Sequence, residues 1–219
     1  MMTITYEGRN SVYVNMTNKC PCACVFCLRH NKDHVFQADS LWLDREPTVK
    51  EVCDSIDSWD LTKYDEVVFC GYGEPTERLD DLLQVAAYIK SKGSIKVRIN
   101  TNGLADLIYG EKTACKLKGL IDSVSISLNA TNKEAYLKMV RPKFGIDSYD
   151  AMLRFAKDCT EYVPEVMMTI VDVVTSKEEQ EQMPEICKRT IEGVKAWATI
   201  GADRAMNVVN TKPKPENKA

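Results

Sequence analysis

Short apolar, β-branched runs recur along this chain with helix-patterned segments between them. This alternation constrains the fold more than any other feature, because it is the pattern of successive βα units around a parallel sheet. The runs lie at residues 12–16, 66–70, 96–100, 121–128, 165–172 and 204–209. Between the first two, Thr48 and Glu51 form a capping box that opens a helix towards Ser58. Residues 78–90 carry Leu79, Leu82, Leu83, Ala86 and Ile89 at spacings of three and four, which predicts an amphipathic helix. Residues 111–118 read as a short helix, Thr131 and Glu134 as a second capping box, and Ser148 as the cap of a helix over 149–162. Pro184 suits the first turn of a helix reaching Ala198, where a missing N–H costs nothing, and Gly201 follows as a turn.

Six such units in about 200 residues fit an open doubly wound sheet or an incomplete (β/α) barrel, since a full barrel wants eight units and about 250 residues. The 44% apolar content fills one sizeable core, so a single domain over residues 1–210 is expected. The tail 211–219, TKPKPENKA, has no apolar anchor and is expected to be disordered. Both architectures build their sites on loops that follow strand C-termini, so residues 17–28, 71–75, 100–103 and 128–130 are expected to converge at one rim.

Twenty-nine basic against 32 acidic side chains give a net charge of -3, which supplies no strong nucleic-acid signature. No stretch approaches the ~18 apolar residues of a membrane span. The opening MMTITYEGRN has neither a basic flank nor an apolar h-region, so a cytoplasmic location is expected. Four of the nine cysteines, Cys20, Cys22, Cys24 and Cys27, fall within one short loop, while Cys53, Cys70, Cys115, Cys159 and Cys187 are scattered singly. An odd total without a signal peptide argues against a disulfide framework, and a dense thiol group in a reducing compartment points to a metal site. Soft thiolates favour zinc or an iron–sulfur cluster. A structural zinc site completed by His30 and His34 is one reading, although only two residues separate Cys27 from His30 where a finger needs about twelve. A ferredoxin-like electron carrier with Cys22 as fourth ligand is another.

The C-x-x-x-C-x-x-C spacing of Cys20, Cys24 and Cys27, with Phe26 before the last cysteine, resembles the signature of the radical S-adenosylmethionine (SAM) enzymes. Gly71-Tyr72-Gly73-Glu74-Pro75 would by itself read as a plain turn. It is similar to the segment with which that family binds the amino group of SAM, with Tyr72 where a glycine is common. Glycines let the backbone approach closely, and carbonyls with Glu74 can receive ammonium hydrogens. The resemblance implies an α/β partial (β/α)6 TIM-like barrel, a 4Fe–4S cluster on Cys20, Cys24 and Cys27, and SAM at the open iron. It further implies Asn100 and Asn102 in RINTNG as cofactor contacts, Ser127 and Asn129 at the ribose, Arg141 at the methionine carboxylate and Phe26 beside the cluster and adenine. The backbone near Ile170 would edge the adenine, while Met167 and Met168 read as core filler.

In order, NSVYVNMTNKC, CGYGEPT, RINTNG, SVSISLNA and RPKFG cover most of residues 10–175 and look like the short TatD family-associated radical SAM proteins. That likeness implies an unassigned reaction and a functional link to a TatD-type nuclease. It also implies an external one-electron reductant, flavodoxin- or ferredoxin-like, whose electron cleaves SAM to a 5′-deoxyadenosyl radical. An incompletely closed barrel suggests hydrogen abstraction from a protein or other macromolecular substrate. Rival readings are a glycyl-radical activase and a 7-carboxy-7-deazaguanine synthase-like enzyme. The isolated cysteines contain no second C-x-x-C pair, so no auxiliary cluster is expected. His30 and His34 are read either as proton donors or substrate contacts, or as solvent-facing loop residues.

Overall fold

A computed structural model describes residues 2–31, 36, 38, 40–130 and 132–171. They fall in the compact unit Met1–Val171, and everything below concerns that unit. Asp172, the helix expected over 184–198, Gly201, the strand over 204–209 and the tail 211–219 lie outside the described residues.

One sheet organises the unit: β1 (Thr5–Gly8), β2 (Ser11–Val14), β3 (Glu66–Phe69), β4 (Lys96–Thr101), β5 (Ser123–Ser127) and β6 (Glu165–Thr169), in spatial order β1-β2-β3-β4-β5-β6. β1 pairs antiparallel with β2, and β2 to β6 run parallel. That order decides between the two architectures. A doubly wound sheet reverses its strand order at a switch point, whereas a barrel adds each strand beside the last. The order here never reverses, so this is the partial barrel, and among the described residues the sheet does not close.

β1 went unread in the sequence. Arg9 and Asn10 have φ of 48° and 63°, and a two-residue loop with both φ positive is the hairpin turn whose twist matches its strands. Register then sorts the side chains. The rows Val12–Val67–Val97 and Val14–Phe69–Ile99–Val124 face the helices and join the main core. The row Tyr13–Val68–Arg98–Ser123 faces the other way, where Tyr6, Tyr13, Ala38, Leu41, Val68 and Tyr72 form a smaller apolar cluster. On that face Arg98 grips Glu66 with two hydrogen bonds, Nε to Oε2 at 3.1 Å and Nη2 to Oε1 at 2.6 Å, and Nη1 donates to Asn100 Oδ1 at 3.2 Å.

The helices are α1 (Leu28–Asn31), α2 (Val49–Asp57), α3 (Leu79–Lys92), α4 (Ala105–Tyr109), α5 (Lys133–Val140) and α6 (Asp147–Cys159). α3 buries Leu79, Leu82, Val85, Ala86 and Ile89, close to the stripe expected from spacing, and a 3-10 turn Pro75–Arg78 precedes it. Three local expectations are corrected. The helix expected over 111–118 is only a 3-10 turn, Ala114–Leu117, while α4 takes up the chain before it and stops where Gly110 enters the left-handed region. α5 is capped by Asn132, whose Oδ1 accepts from Ala135 N at 2.9 Å, not by a Thr131–Glu134 box; Thr131 lies outside the described residues. Ser148 sits inside α6 rather than capping it, and its hydroxyl is buried without a hydrogen-bond partner.

The box at the start of α2 forms as read. Thr48 Oγ1 accepts from Glu51 N at 3.2 Å and Glu51 Oε2 accepts from Thr48 N at 2.8 Å. Thr48→Ala is expected to cost about 1 kcal/mol in urea unfolding. Arg45, and after it Thr48, hold the Glu51 carboxyl down to about 2. Glu51 lies at the surface, partly open to solvent, so the effect is small and salt-sensitive. Its contribution is complete above the ordinary carboxylate range near pH 4.5 and disappears as the pH falls towards 2, so Glu51→Gln is expected to flatten the acid limb of an unfolding profile.

Candidate functional site

Because β2 to β6 are parallel, the loops leaving their C-termini share one rim. The loop after β2 carries the four clustered cysteines, and it is fastened on two sides. On one, Thr17 Oγ1 donates to Glu46 Oε1 at 2.7 Å, and Asn18 exchanges hydrogen bonds with the Leu43 backbone at 2.7 and 3.1 Å. On the other, Ala23 N reaches Val140 O at 3.1 Å, Val25 N reaches Met139 O at 2.9 Å and Lys143 N reaches Pro21 O at 2.8 Å, with Cys22 and Pro142 bridged as in a strand pair. The end of α5 therefore grips the middle of the cysteine loop.

The glycine loop after β3 lies directly against the cysteine loop. A Cβ on Gly71 would fall 2.1 Å from Asn15 Oδ1, and one on Gly73 would fall 2.2 Å from the carbonyl oxygen of Thr17 and 2.7 Å from that of Lys19. No side chain fits at either position without separating the loops. Glu74 continues the seam: its N–H donates to Lys19 O at 2.8 Å. Its buried carboxylate accepts at Oε1 from Thr76 N (3.1 Å), Thr76 Oγ1 (2.8 Å) and Thr101 Oγ1 (2.7 Å), and at Oε2 from Asn102 N (2.7 Å). Four donors satisfy the charge, yet burial outweighs them and pushes the Glu74 carboxyl above its ordinary range. The side chain thus joins the ends of β3 and β4, which leaves backbone carbonyls of the glycine loop as the groups suited to an ammonium.

The thiols gather at the seam. Asn102 Nδ2 donates to Cys22 Sγ at 3.6 Å. Hydrogen bonds with Cys22 lower the Cys20 and Cys24 thiols and, together with burial, raise that of Cys22. Burial raises Cys27, whose N–H bonds Cys24 O at 3.1 Å. Among the described residues no three His, Cys, Asp or Glu side chains converge closely enough to hold a single ion. The thiols of Cys20, Cys24 and Cys27 on one loop are the soft donors an iron–sulfur cluster takes.

The remaining expected residues surround this seam unevenly. Tyr72, where a glycine is common, turns its ring into the smaller apolar cluster and meets Trp42 edge-on at 5.2 Å. Asn100 is half-buried on the Arg98 side of β4, and Phe26 is half-buried on the cysteine loop. Ser127 ends β5. Asn129 follows with φ of 56°, buried, its N–H bonded to Thr169 O at 3.3 Å and its Oδ1 accepting from Val171 N at 3.3 Å, so its amide ties β5 to the end of β6. Arg141 is exposed at the end of α5 with φ of 49°. His30 is exposed on α1 and His34 lies outside the described residues. Met168 packs on the main core, while Met167 lies in the row of Asn100 and Ser125 on the opposite face.

A family model described as the radical SAM superfamily matches residues 14–189, most of the chain. The chain belongs to the radical SAM superfamily. Members of that superfamily are enzymes, and the domain implies a 4Fe–4S cluster and SAM as cofactors. The chain is 30% identical over 201 residues to Fe-coproporphyrin III synthase of Methanosarcina barkeri, covering 85% of this chain and 45% of that one. It is 26% identical over 149 residues to the probable dual-specificity RNA methyltransferase RlmN of Dictyoglomus turgidum, covering 63% and 39% respectively. A structure of TYW1 with a lysine-pyruvate adduct bound is similar with a TM-score of 0.51 at 13% identity, covering 75% of this chain and 56% of that one, a likeness of fold. The chain spans less than half the length of the curated relatives it matches. No helix among the described residues is long and apolar enough to cross a membrane.

Sequence reading missed two supports of this candidate site. Asn15 is fully buried; its Nδ2 donates to Thr3 O at 3.1 Å and Leu41 O at 2.7 Å, and its side chain is the wall against which Gly71 fits. Its signal was a polar residue breaking the apolar run VYVNM. Thr101 carries the hydroxyl that fixes Glu74 and receives Gly103 N at 3.0 Å, and nothing local distinguishes it from any strand threonine. Gly73→Ala in this radical SAM domain is expected to weaken SAM binding at least about tenfold by equilibrium dialysis, because backbone rather than a movable side chain opposes the methyl. Gly93→Ala, with nothing within 4 Å of the added carbon, is the control expected to leave binding unchanged.

Proposed function

We propose that this chain is a TatD family-associated radical SAM enzyme that takes a hydrogen atom from a protein or other macromolecular substrate. The observation that carries the cofactor assignment is the fit of Gly71 and Gly73 against Asn15, Thr17 and Lys19, since it brings an ammonium-binding loop onto the thiol loop with no room for a side chain. Cys20, Cys24 and Cys27 would hold the cluster. When bound, the cluster and SAM supply reductive carbon–sulfur cleavage and the radical chemistry that follows.

The chain's own residues supply position and exclusion of water. The glycine loop presents carbonyls to the methionine amino group, with Glu74 holding that loop against β4 rather than reaching out. Asn100 and Asn102 line the end of β4, and Ser127 and Asn129 stand at the end of β5 as partners for ribose hydroxyls. Arg141 supplies a cation for the methionine carboxylate, and Phe26 covers the thiol side. A macromolecular substrate is favoured by Val25, Leu28 and Trp42, each 46% exposed around the cysteine loop. The electron comes from an external flavodoxin- or ferredoxin-like donor. A cytoplasmic setting suits the free thiols. A functional link to a TatD-type nuclease belongs to the same reading.

Anaerobic reconstitution is expected to give a brown protein whose electron paramagnetic resonance spectrum changes on adding SAM and which releases 5′-deoxyadenosine with dithionite. Cys24→Ala is expected to abolish iron uptake and release alike. A protein that takes up iron but is indifferent to SAM would reject the enzyme reading. Anaerobic co-purification tests the partner: retention of a TatD-type nuclease supports the subfamily assignment, and its consistent absence counts against it.

A further inference from the structure

The chain is acidic overall, with 32 acidic against 29 basic side chains, yet two of its segments carry no acid at all. One is residues 8–32, which contains the cysteine loop, and the other is residues 135–146, which contains most of α5 and the turn after it. These are the two segments that hydrogen bonds fasten together at the rim: Ala23 N to Val140 O at 3.1 Å, Val25 N to Met139 O at 2.9 Å and Lys143 N to Pro21 O at 2.8 Å. Folding has joined two acid-free stretches into one surface, and the thiol loop runs through it.

Three lysines edge this surface. Lys19 opens the cysteine loop, Lys143 is joined to that loop at Pro21, and Lys138 stands exposed in the last turn of α5, next in sequence to the residue that holds Val25. Two of the three have an acid within reach, Glu46 at 3.2 Å from Lys19 and Glu77 at 4.0 Å from Lys143. In both pairs the lysine is the partner presented to solvent, 67% exposed against 35% and 55% against 14%. A helix C-terminus favours a nearby cation, which accounts for Lys138 alone, since Lys19 and Lys143 lie off the helix.

We infer, on the cluster assignment proposed above, that this lysine-edged surface over the cysteine loop is the seat of the external electron donor, and that the donor is an acidic one-electron carrier protein. In the step it serves, the carrier is oxidised by one electron and the cluster is reduced by one; no bond forms or breaks. A nucleic acid fits less well, because a phosphate backbone takes a long positive track and this surface is confined to the rim of an acidic chain. Position argues for the carrier as well. A protein resting on residues 138–143 touches the segment bonded to Pro21, Ala23 and Val25, the residues that alternate with the first thiols of the loop. Opposite charge across such a contact speeds encounter, so the signature is a salt-dependent rate.

The test uses the full chain, reconstituted anaerobically without SAM, with a purified flavodoxin in its fully reduced form as the donor. Iron and sulfide are assayed first, and cluster reduction is then followed by stopped-flow absorbance. The parent rate is expected to fall at least about tenfold between low salt and ~0.5 M sodium chloride. Lys138→Glu with Lys143→Glu is expected to lower the low-salt rate about tenfold and to flatten its salt dependence, while Lys138→Arg with Lys143→Arg keeps both. Lys63→Glu with Lys112→Glu makes the same change of net charge ahead of β3 and β5, at the other end of the strands, and is expected to keep the parent rate. Dithionite is expected to reduce every variant to the same extent. A parent rate in the Lys138→Glu, Lys143→Glu pair, an equal loss in the Lys63→Glu, Lys112→Glu pair, or a parent that dithionite reduces and flavodoxin does not, overturns the inference. An unchanged flavodoxin rate with loss of binding to a single-stranded RNA oligonucleotide also overturns it, by making the surface a nucleic-acid face. Should the reversed pair lose iron, Lys138→Gln with Lys143→Gln decides instead: about a threefold loss of rate supports the inference and no loss overturns it. A parent that takes up no cluster defeats the proposed function, and the assay of iron and sulfide separates that failure from the others.

Discussion

A buried carboxylate that has no salt-bridge partner among the described residues is the constraint on which the rim of this molecule depends. Burying an ionised group is costly unless its lone pairs are satisfied, and Glu74 is satisfied only if Thr76, Thr101 and the Asn102 backbone stand around it together. Its own N–H fixes Lys19 in the same stroke. Three consecutive strand ends are thereby brought to one place, and the dryness that raises the Glu74 carboxyl also strengthens every polar contact made nearby.

The sequential strand order makes this possible. β2, β3 and β4 are neighbours in space because they are neighbours in sequence, so the loop after one strand can lie on the loop after the previous strand without a crossing. A doubly wound order would have carried adjacent loops to opposite sides of a switch point. The two faces of the sheet then divide the labour. Valine, isoleucine and phenylalanine rows are buried under the helices, while the other face gives its tyrosines to one cluster and its Arg98–Glu66 pair and serines to a polar strip.

Much of the scaffold was legible from local rules. The Thr48 box, the stripe of α3 and all five parallel strands follow from spacing and composition alone, because helix and strand periods write themselves into the apolar pattern. What escaped were features decided by a few degrees of backbone or by competition between caps. β1 depends on positive φ angles at Arg9 and Asn10, which are not the Asn-Gly pair that marks such a turn, and α5 is capped by Asn132. Ser148 looked like a cap because caps are read by residue type, yet α6 begins before it.

Of the site, the sequence by itself determined the chemistry: three thiols at a fixed spacing, two glycines and an acid after a strand, and amide and hydroxyl residues at later strand ends. Those are properties of residue type and local spacing, which tertiary structure cannot alter. Only the tertiary structure decided which of these groups meet. It turned Glu74 inward as a tie between strands, sent the Tyr72 ring into an apolar cluster, brought Asn102 to the sulfur of Cys22 and left Arg141 exposed. The physical reason is that hydrogen bonds and close contacts act over a few ångströms between residues tens of positions apart, a distance that no local pattern records.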